Sequence, residues 1–438
     1  MLVSLRRMNR VLEVNEELAY ALVEPGVRFF DIHEALQGTR LWSSMPDLGW
    51  GSVVGNTLDH GFGYTPYGDH VATQCGMEVV LANGDVLRTG MGAMNGSRTW
   101  QAHKRGFGPS ADGLFMQSNF GIVTKMGVWL FPEPELFVSC RAILEREDDL
   151  APLIDTLRPF VLDRTIPNVP LIGNVLGAGM WGKTRRDWFD GAGPLPREVL
   201  ERIGRERGAG FWSARFALYG REQVVDAQLE LLRAAFEGIP GARLLAKRMA
   251  GSEVAEKAED LADRAQSGIP SLDMLQMLGW WGGVGGHLDF SPVAPLTGED
   301  AEALVRLLRP LVEGAGLDYG PAFIVTPRSL VHICPVIYDT TNEAQVREAY
   351  ELYPRMVRAA ADAGYGLYRA HIAFMDVVAE TYDFGGGALR RFNDRLKDAL
   401  DPNGILSPGK QGIWGSQAWG KPGFPHEPPP WSRALPAS

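Results

Sequence analysis

"PDLGWGSVVGNTLDHGFGYTPYGDH", residues 46–70, is dense in glycine and too irregular to read as a helix or strand. A connection this long inside a domain usually carries function. Ordered patterns flank it. "RVLEVNEELAYALVEP" (10–25) alternates apolar and polar residues around a polar turn, which reads as a hairpin, and "GVRFFDIHEALQG" (26–38) reads as a short helix. Beyond the loop, "MEVVLANGDVLRTG" (77–90) sets Asn83-Gly84 between two alternating runs, the signature of a hairpin closed by a type I′ turn.

Composition narrows the class. The chain has 438 residues, enough for two or three domains, and 45% hydrophobic residues imply a large interior. A net charge of −10 with no basic block argues against nucleic acid as a partner. Cys75, Cys140 and Cys334 are far apart in apolar company, so buried free thiols are expected rather than disulfides or a metal site. "HEAL" (33–36) lacks the second histidine of a zinc helix, and His60 and His70 flank the glycine loop in no ligand pattern; no metal is expected. The N-terminus has no signal-like apolar region and no run could span a bilayer, so no membrane partner and a cytoplasmic location are expected.

From about residue 143 helical patterns at 220–241, 298–316 and 341–366 interleave with strand-like runs at 322–327 and 331–340, an α+β arrangement. An amphipathic helix at 387–402 is stopped by Pro402 and Gly404, and the proline-rich stretch after Trp414 is expected to be largely disordered. "GAGMWGKT" (177–184) fits a nucleotide phosphate loop, Gly177 to Gly182-Lys183-Thr184, and follows an acceptable strand at 168–176. The glycines and prolines of "RRDWFDGAGPLP" forbid a normal helix from Lys183, so the motif is read as a decoy.

A second glycine cluster, "WWGGVGGHLDFSPV" (280–293), sets His287 at the start of a strand-like run. On spacing alone it is an ordinary structural histidine. Together with residues 46–70, "MEVVLANGDVLRTGMGA", "SNFGIVTKMGVWLFP", "GYGLYRAH" and "DPNGILSPGKQGIW", however, the chain resembles the vanillyl-alcohol oxidase and 4-cresol methylhydroxylase flavoprotein family, in order from residue 1 to about Trp414. The resemblance implies an α+β fold: a PCMH-type FAD-binding domain split in sequence (1–146 and 366–414), an inserted α+β cap domain (147–365) and the tail 415–438.

It also implies roles. His287 matches the histidine bonded covalently to the flavin 8α-methyl, a bond that needs a neutral imidazole nitrogen and makes the flavin a stronger oxidant. Asp47 matches the carboxylate near flavin N5; by itself it would read as a turn residue after Pro46. Tyr368 and Arg369 match the pair that holds the substrate phenol oxygen, although alone they read as an ordinary surface pair on a strand. Gly51, Gly55, Asn56 and Gly63 of the loop, the Gly121-Ile122-Val123 segment and Lys410 are implied flavin contacts, with Arg369 shared between cofactor and substrate. Tyr64 and Ser291 are expected to face the substrate.

The implied reaction is oxidation of a 4-hydroxybenzylic or 4-allylphenol substrate by hydride transfer from the side-chain carbon to flavin N5 through a quinone methide. Oxygen is the expected acceptor, with a cytochrome as the alternative, and a homo-oligomer is expected. The chain departs from the family in starting inside the first domain, without the Gly-rich pyrophosphate loop, and in carrying Ala322 and Val331 where relatives have glutamine and histidine. A shortened, non-catalytic homologue and ATP binding through Lys183 are the other readings.

Overall fold

Alternating residues in the first third of the chain pair into a five-stranded antiparallel sheet of order β1-β2-β5-β3-β4: Val11–Asn15 (β1), Tyr20–Val23 (β2), Gln74–Val80 (β3), Val86–Arg88 (β4) and Ile122–Trp129 (β5). The computed structural model describes residues 2–418, so nearly all of the expected disordered tail lies outside the described residues. Both expected hairpins are present, but the second turn is not type I′. Only Gly84 has positive φ (91°); its N–H donates to Leu81 O (3.0 Å) and Leu81 N–H to Asp85 O (2.9 Å), closing a three-residue loop. Asn83 instead accepts the Asp85 N–H through its side chain (3.0 Å), a local bond that suits an ordinary backbone conformation.

The expected short helix forms at Phe29–Ala35. Residues 46–70 are less irregular than their glycines suggest. Ser52 Oγ accepts the Gly55 N–H (3.0 Å) and opens a helix at Val53–Leu58, and Asp69 caps a single turn at His70–Thr73. Each cap satisfies an amide that the turn would otherwise leave bare, which offsets the low helix preference of Gly55.

The rest of the chain up to residue 339 builds an eight-stranded antiparallel sheet. Its strands are Leu136–Leu144 (β6), Leu171–Asn174 (β7), Trp212–Gly220 (β8), Arg243–Ala250 (β9), Gly285–Phe290 (β10), Val293–Pro295 (β11), Ala322–Val325 (β12) and Ser329–Asp339 (β13). The order is β9-β6-β8-β7-β12-β13-β10, with β11 also on β13. The three expected helices form at Glu222–Phe236, Gly298–Gly314 and Glu343–Asp362; with Leu150–Leu162, which the sequence reading missed, they pack on one face. That face carries Ala142, Ile172, Phe216, Phe323, Leu288 and Val336 into two buried clusters. The opposite face carries Arg215, Leu171, Ala322, Ile333, His287 and Asp289, and no helix of these four covers it.

The phosphate-loop reading of 177–184 fails for a reason stronger than expected. Strand β7 runs directly into a helix, Val175–Met180, capped by Asn174, so Gly177 lies inside a helix. Lys183 lies beyond it, 3.5 Å from Glu206 and 3.8 Å from the centre of the Trp188 ring.

After the second sheet the chain returns to the first. Helix Phe384–Leu400, regular beyond three glycines of positive φ, sets Leu396 and Leu400 against the first core, where Ile413 is buried. Lys397, 0% exposed, donates to Asp401 Oδ2 (2.7 Å), Asn119 O (2.8 Å) and Leu406 O (2.7 Å). All three ammonium protons are matched. Asn119 in turn donates to Ser407 O and Ile413 O, both 2.9 Å, so this hub ties the C-terminal segment to the first unit. Cys75, Cys140 and Cys334 are free and buried, as expected. Lys397→Met leaves Asp401 buried without its counter-charge; unfolding in denaturant should show a loss of about 3–5 kcal/mol.

Candidate functional site

A cavity of about 410 Å³ opens where the C-terminal segment meets the first unit. Tyr368, Arg369, His60, Gln117 and Gln411 supply its polar wall, and Met116, Phe120, Leu367 and Ile413 its apolar wall. That size and mixture suit a small-molecule or cofactor site. His60 (φ 54°), Gln117 (φ 44°) and Gln411 (φ 56°) are three of the six non-glycine residues with positive φ among the described residues. Such backbone costs about 1–3 kcal/mol each and gathers where geometry serves a ligand. Neither glutamine carries a sequence signal, since glutamine is not a residue type enriched in left-handed backbone.

Tyr368 and Arg369 do not lie on a strand as expected. They follow an isolated bridge between Leu367 and Pro292, in irregular chain held by a bond from Gln117 Nε2 to Tyr368 O (2.7 Å). The Tyr368 ring packs edge-on to Phe62 with centroids 6.0 Å apart, and the Arg369 guanidinium lies 5.9 Å from its centre. Burial raises the Tyr368 pKa; Arg369 opposes that shift and Asp289 adds to it. Burial, with help from Arg369, lowers the pKa of His60 against the pull of Asp69 and Asp59. Lys410 and Asp59, the chain neighbours of the cavity residues Gln411 and His60, pair at 3.3 Å.

His287 stands third in β10, and Asp289 two residues on points to the same side. His287 Nε2 and Asp289 Oδ2 are 3.4 Å apart, with the imidazole 39% exposed on the sheet face free of the four helices. The hydrogen bond to Asp289 raises the His287 pKa, with burial opposing. Sequence reasoning passed over Asp289, although an i,i+2 pair on a strand shares a face. Ser291, 5% exposed, follows this strand, one residue before the Pro292–Leu367 bridge.

Asp47 forms a separate cluster. Tyr64 donates its hydroxyl to Asp47 Oδ2 at 2.5 Å, and Arg215 of β8 is ion-paired to the other carboxylate oxygen. The Arg215 guanidinium also lies 4.4 Å from the Tyr64 ring centre. The Tyr64 hydroxyl is therefore engaged by Asp47.

The glycines divide. A Cβ on Gly51 would meet nothing within 4 Å, and one on Gly55 only its own cap at 3.4 Å, so both leave room for a neighbour. A Cβ on Gly63 would lie 2.3 Å from Ser44 Oγ and 2.7 Å from His70 Nε2, and one on Gly121 2.4 Å from Val79. Protein packing alone requires glycine at these two. Val123 is 4% exposed in the first core, and Asn56 holds His70 Nδ1 at 2.6 Å.

The residues present fit an isoalloxazine. The cavity offers apolar surface for a flat ring system, amide and imidazole groups for its heteroatoms, and a guanidinium for its electron-rich edge. No group of three or more ligating side chains among the described residues could hold a metal ion, and no described helix is long and apolar enough to cross a membrane.

Comparisons with known proteins identify the family. Residues 1–90 match a model of the FAD binding domain, and residues 212–411 match the C-terminal domain of FAD linked oxidases. The chain is 38% identical to the 4-cresol dehydrogenase [hydroxylating] flavoprotein subunit of Pseudomonas putida, across 94% of this chain and 78% of that one. Among solved structures, 4-ethylphenol oxidase from Gulosibacter chungangensis in complex with isoeugenol superposes with a TM-score of 0.89 at 41% identity, covering 94% and 80% of the two chains. p-Cresol methylhydroxylase with substrate bound gives 0.88 at 37%, covering 93% and 79%.

His70 gives this region a pH signature. Burial holds its folded pKa at about 4, while the unfolded chain takes up its proton near 6.5. Its contribution is complete above pH 6.5 and is lost as pH falls through 4, about 3 kcal/mol at roughly 1.4 kcal/mol per pK unit. Urea unfolding at pH 7 and pH 4 should show that loss, reduced in His70→Asn.

Proposed function

The chain belongs to the FAD-linked oxidoreductase family of the 4-cresol dehydrogenase flavoprotein subunit, and from that premise we propose that it oxidises para-substituted phenols at the side-chain carbon. It is a flavin-dependent oxidoreductase with FAD as cofactor, built on a PCMH-type FAD-binding fold. The observation that carries the substrate reading is the cavity walled by Tyr368 and Arg369.

A phenol, with pKa near about 10, is neutral in water, and a guanidinium beside it favours the phenolate. Arg369, held above the Tyr368 ring, is placed for that task, and the Tyr368 hydroxyl, whose pKa burial raises, stays a proton donor to the same oxygen. The phenolate is the form from which a hydride can leave the para side-chain carbon, giving a neutral quinone methide that adds water or loses a proton according to the substrate. Bound FAD supplies the two-electron acceptor for that hydride. His60, Gln117 and Gln411 on the cavity wall would hold its polar atoms; the family resemblance assigns Lys410 and Asp47 to the flavin and Ser291 to the substrate, and Gly51 and Gly55 leave room for a neighbour. His287 would anchor it covalently, with Asp289 at 3.4 Å to orient the imidazole and receive its proton.

Molecular oxygen is the proposed acceptor, since the structure neighbour at 41% identity is named an oxidase. The Pseudomonas putida relative is named a dehydrogenase, which supports a separate electron acceptor as the second reading. Peroxide release with 4-ethylphenol, measured against reduction of an added cytochrome, separates the two.

Arg369→Met should lower kcat/KM by about 10²–10³-fold, the usual effect of removing one charge-stabilising donor, while Tyr368→Phe should cost less. Steady-state rates with 4-cresol and 4-ethylphenol check both. Acid precipitation should leave flavin on a peptide containing His287; release of all flavin into solution would remove the covalent anchor from this proposal.

A further inference from the structure

Strand β8 reads "WSARFALYG", with Arg215 among residues that alternate toward the helices and away from them. Arg215 points away, and its side chain is only 12% exposed. It is ion-paired to Asp47, a residue 168 positions earlier and on the other structural unit, whose side chain is 18% exposed. Tyr64 occupies the second carboxylate oxygen at 2.5 Å and lies under the guanidinium. Arg215 Nε is buried with no hydrogen-bond partner, so the guanidinium is not held in place by a network of its own. The guanidinium instead meets the Asp47 carboxylate and the Tyr64 ring.

From this arrangement we infer that Arg215 is a positioning residue: from the eight-stranded sheet it fixes the orientation of Asp47, the carboxylate that the proposed function sets beside the flavin, and of the Tyr64 hydroxyl bonded to it. A carboxylate taken out of water needs a counter-charge and filled lone pairs. Tyr64 fills one side and Arg215 supplies the other together with the charge. Without the guanidinium, the Asp47 carboxylate can rotate or swing toward water, and the Tyr64 hydroxyl follows it. The planar fork also sets direction, which an ammonium on a flexible stem does poorly. Because Arg215 and Asp47 belong to different units, the pair also registers the second sheet over the 46–70 segment. This inference rests on the flavin-dependent phenol oxidation proposed above.

The test uses the FAD-loaded protein and four variants: Arg215→Met, Arg215→Lys, Asp47→Asn and the double Arg215→Met/Asp47→Asn. Three quantities are read: bound flavin per chain, thermal unfolding midpoint, and anaerobic flavin reduction by 4-ethylphenol resolved into limiting rate and apparent Kd. Arg215→Met should keep flavin occupancy within about twofold and Kd within about threefold, while the limiting rate falls about 100-fold. Arg215→Lys should recover about tenfold of that loss. The double variant should be no more than about threefold slower than Asp47→Asn alone, because both substitutions break one unit.

An unchanged limiting rate in Arg215→Met overturns the inference, as do losses that multiply in the double variant. So does a parallel fall in rate and flavin occupancy that Lys does not rescue, which would mark a purely structural role. If Arg215→Met fails to fold, Arg215→Lys decides: a rate about tenfold below wild type at full occupancy supports positioning, and a wild-type rate overturns it. Failure of the proposed function shows differently, since the wild-type protein would then hold flavin that no para-substituted phenol reduces.

Discussion

An antiparallel sheet dressed with helices on one face must bury its second face against something else or leave it to water. In this protein that constraint shapes everything nearby. The eight-stranded sheet sends Phe216, Phe323 and Val336 into helix-covered cores, and its other face divides in two. One end is sealed by Trp42 and Phe131 of the first unit, packed on Phe137 and Tyr219. The other end keeps polar, half-exposed residues such as His287 and Asp289. The open end meets the segment after Leu367 at Pro292, and that segment, with His60 of the loop 46–70, supplies walls of the cavity.

The walls are held by directional polar bonds from side chains to backbone carbonyls. Asn168 donates to Tyr64 O (2.9 Å) while accepting from Ala217 N–H (3.0 Å), so the loop is pinned to β8. Gln117 holds Tyr368 O, and Asn119 holds two carbonyls of the C-terminal segment. A buried amide fixes direction as well as distance, because an unmet donor there is costly. The placement of Arg369 relative to His60 therefore follows from contacts between units distant in sequence.

This explains what the sequence disclosed and what it hid. Period-two and period-3.6 patterns marked both N-terminal hairpins and the helices at Glu222–Phe236, Gly298–Gly314 and Glu343–Asp362, where each element has one apolar side. The helix at Val53–Leu58 escaped because its signal is a single cap, Ser52, in a stretch of glycines. Helix Val175–Met180 escaped because it holds two glycines, and those glycines imitated a phosphate loop. Tyr368, Arg369 and His287 were legible only through resemblance to a family, since a Tyr-Arg pair or a lone histidine says little about its surroundings. Arg215 was not legible at all. On an alternating strand, an arginine aimed at solvent and one aimed at a carboxylate 168 residues away look the same.

The three thiols have a bearing on durability. Burial pushes Cys75 up to about 11 and Cys140 up to about 12, and it raises Cys334 as well. Only a thiolate attacks hydrogen peroxide at an appreciable rate, the first rung of sulfenic and sulfinic damage. With oxygen as the proposed acceptor, each turnover would release that oxidant beside the fold. Sulfur kept protonated and walled off would let a protein with that acceptor survive its own by-product.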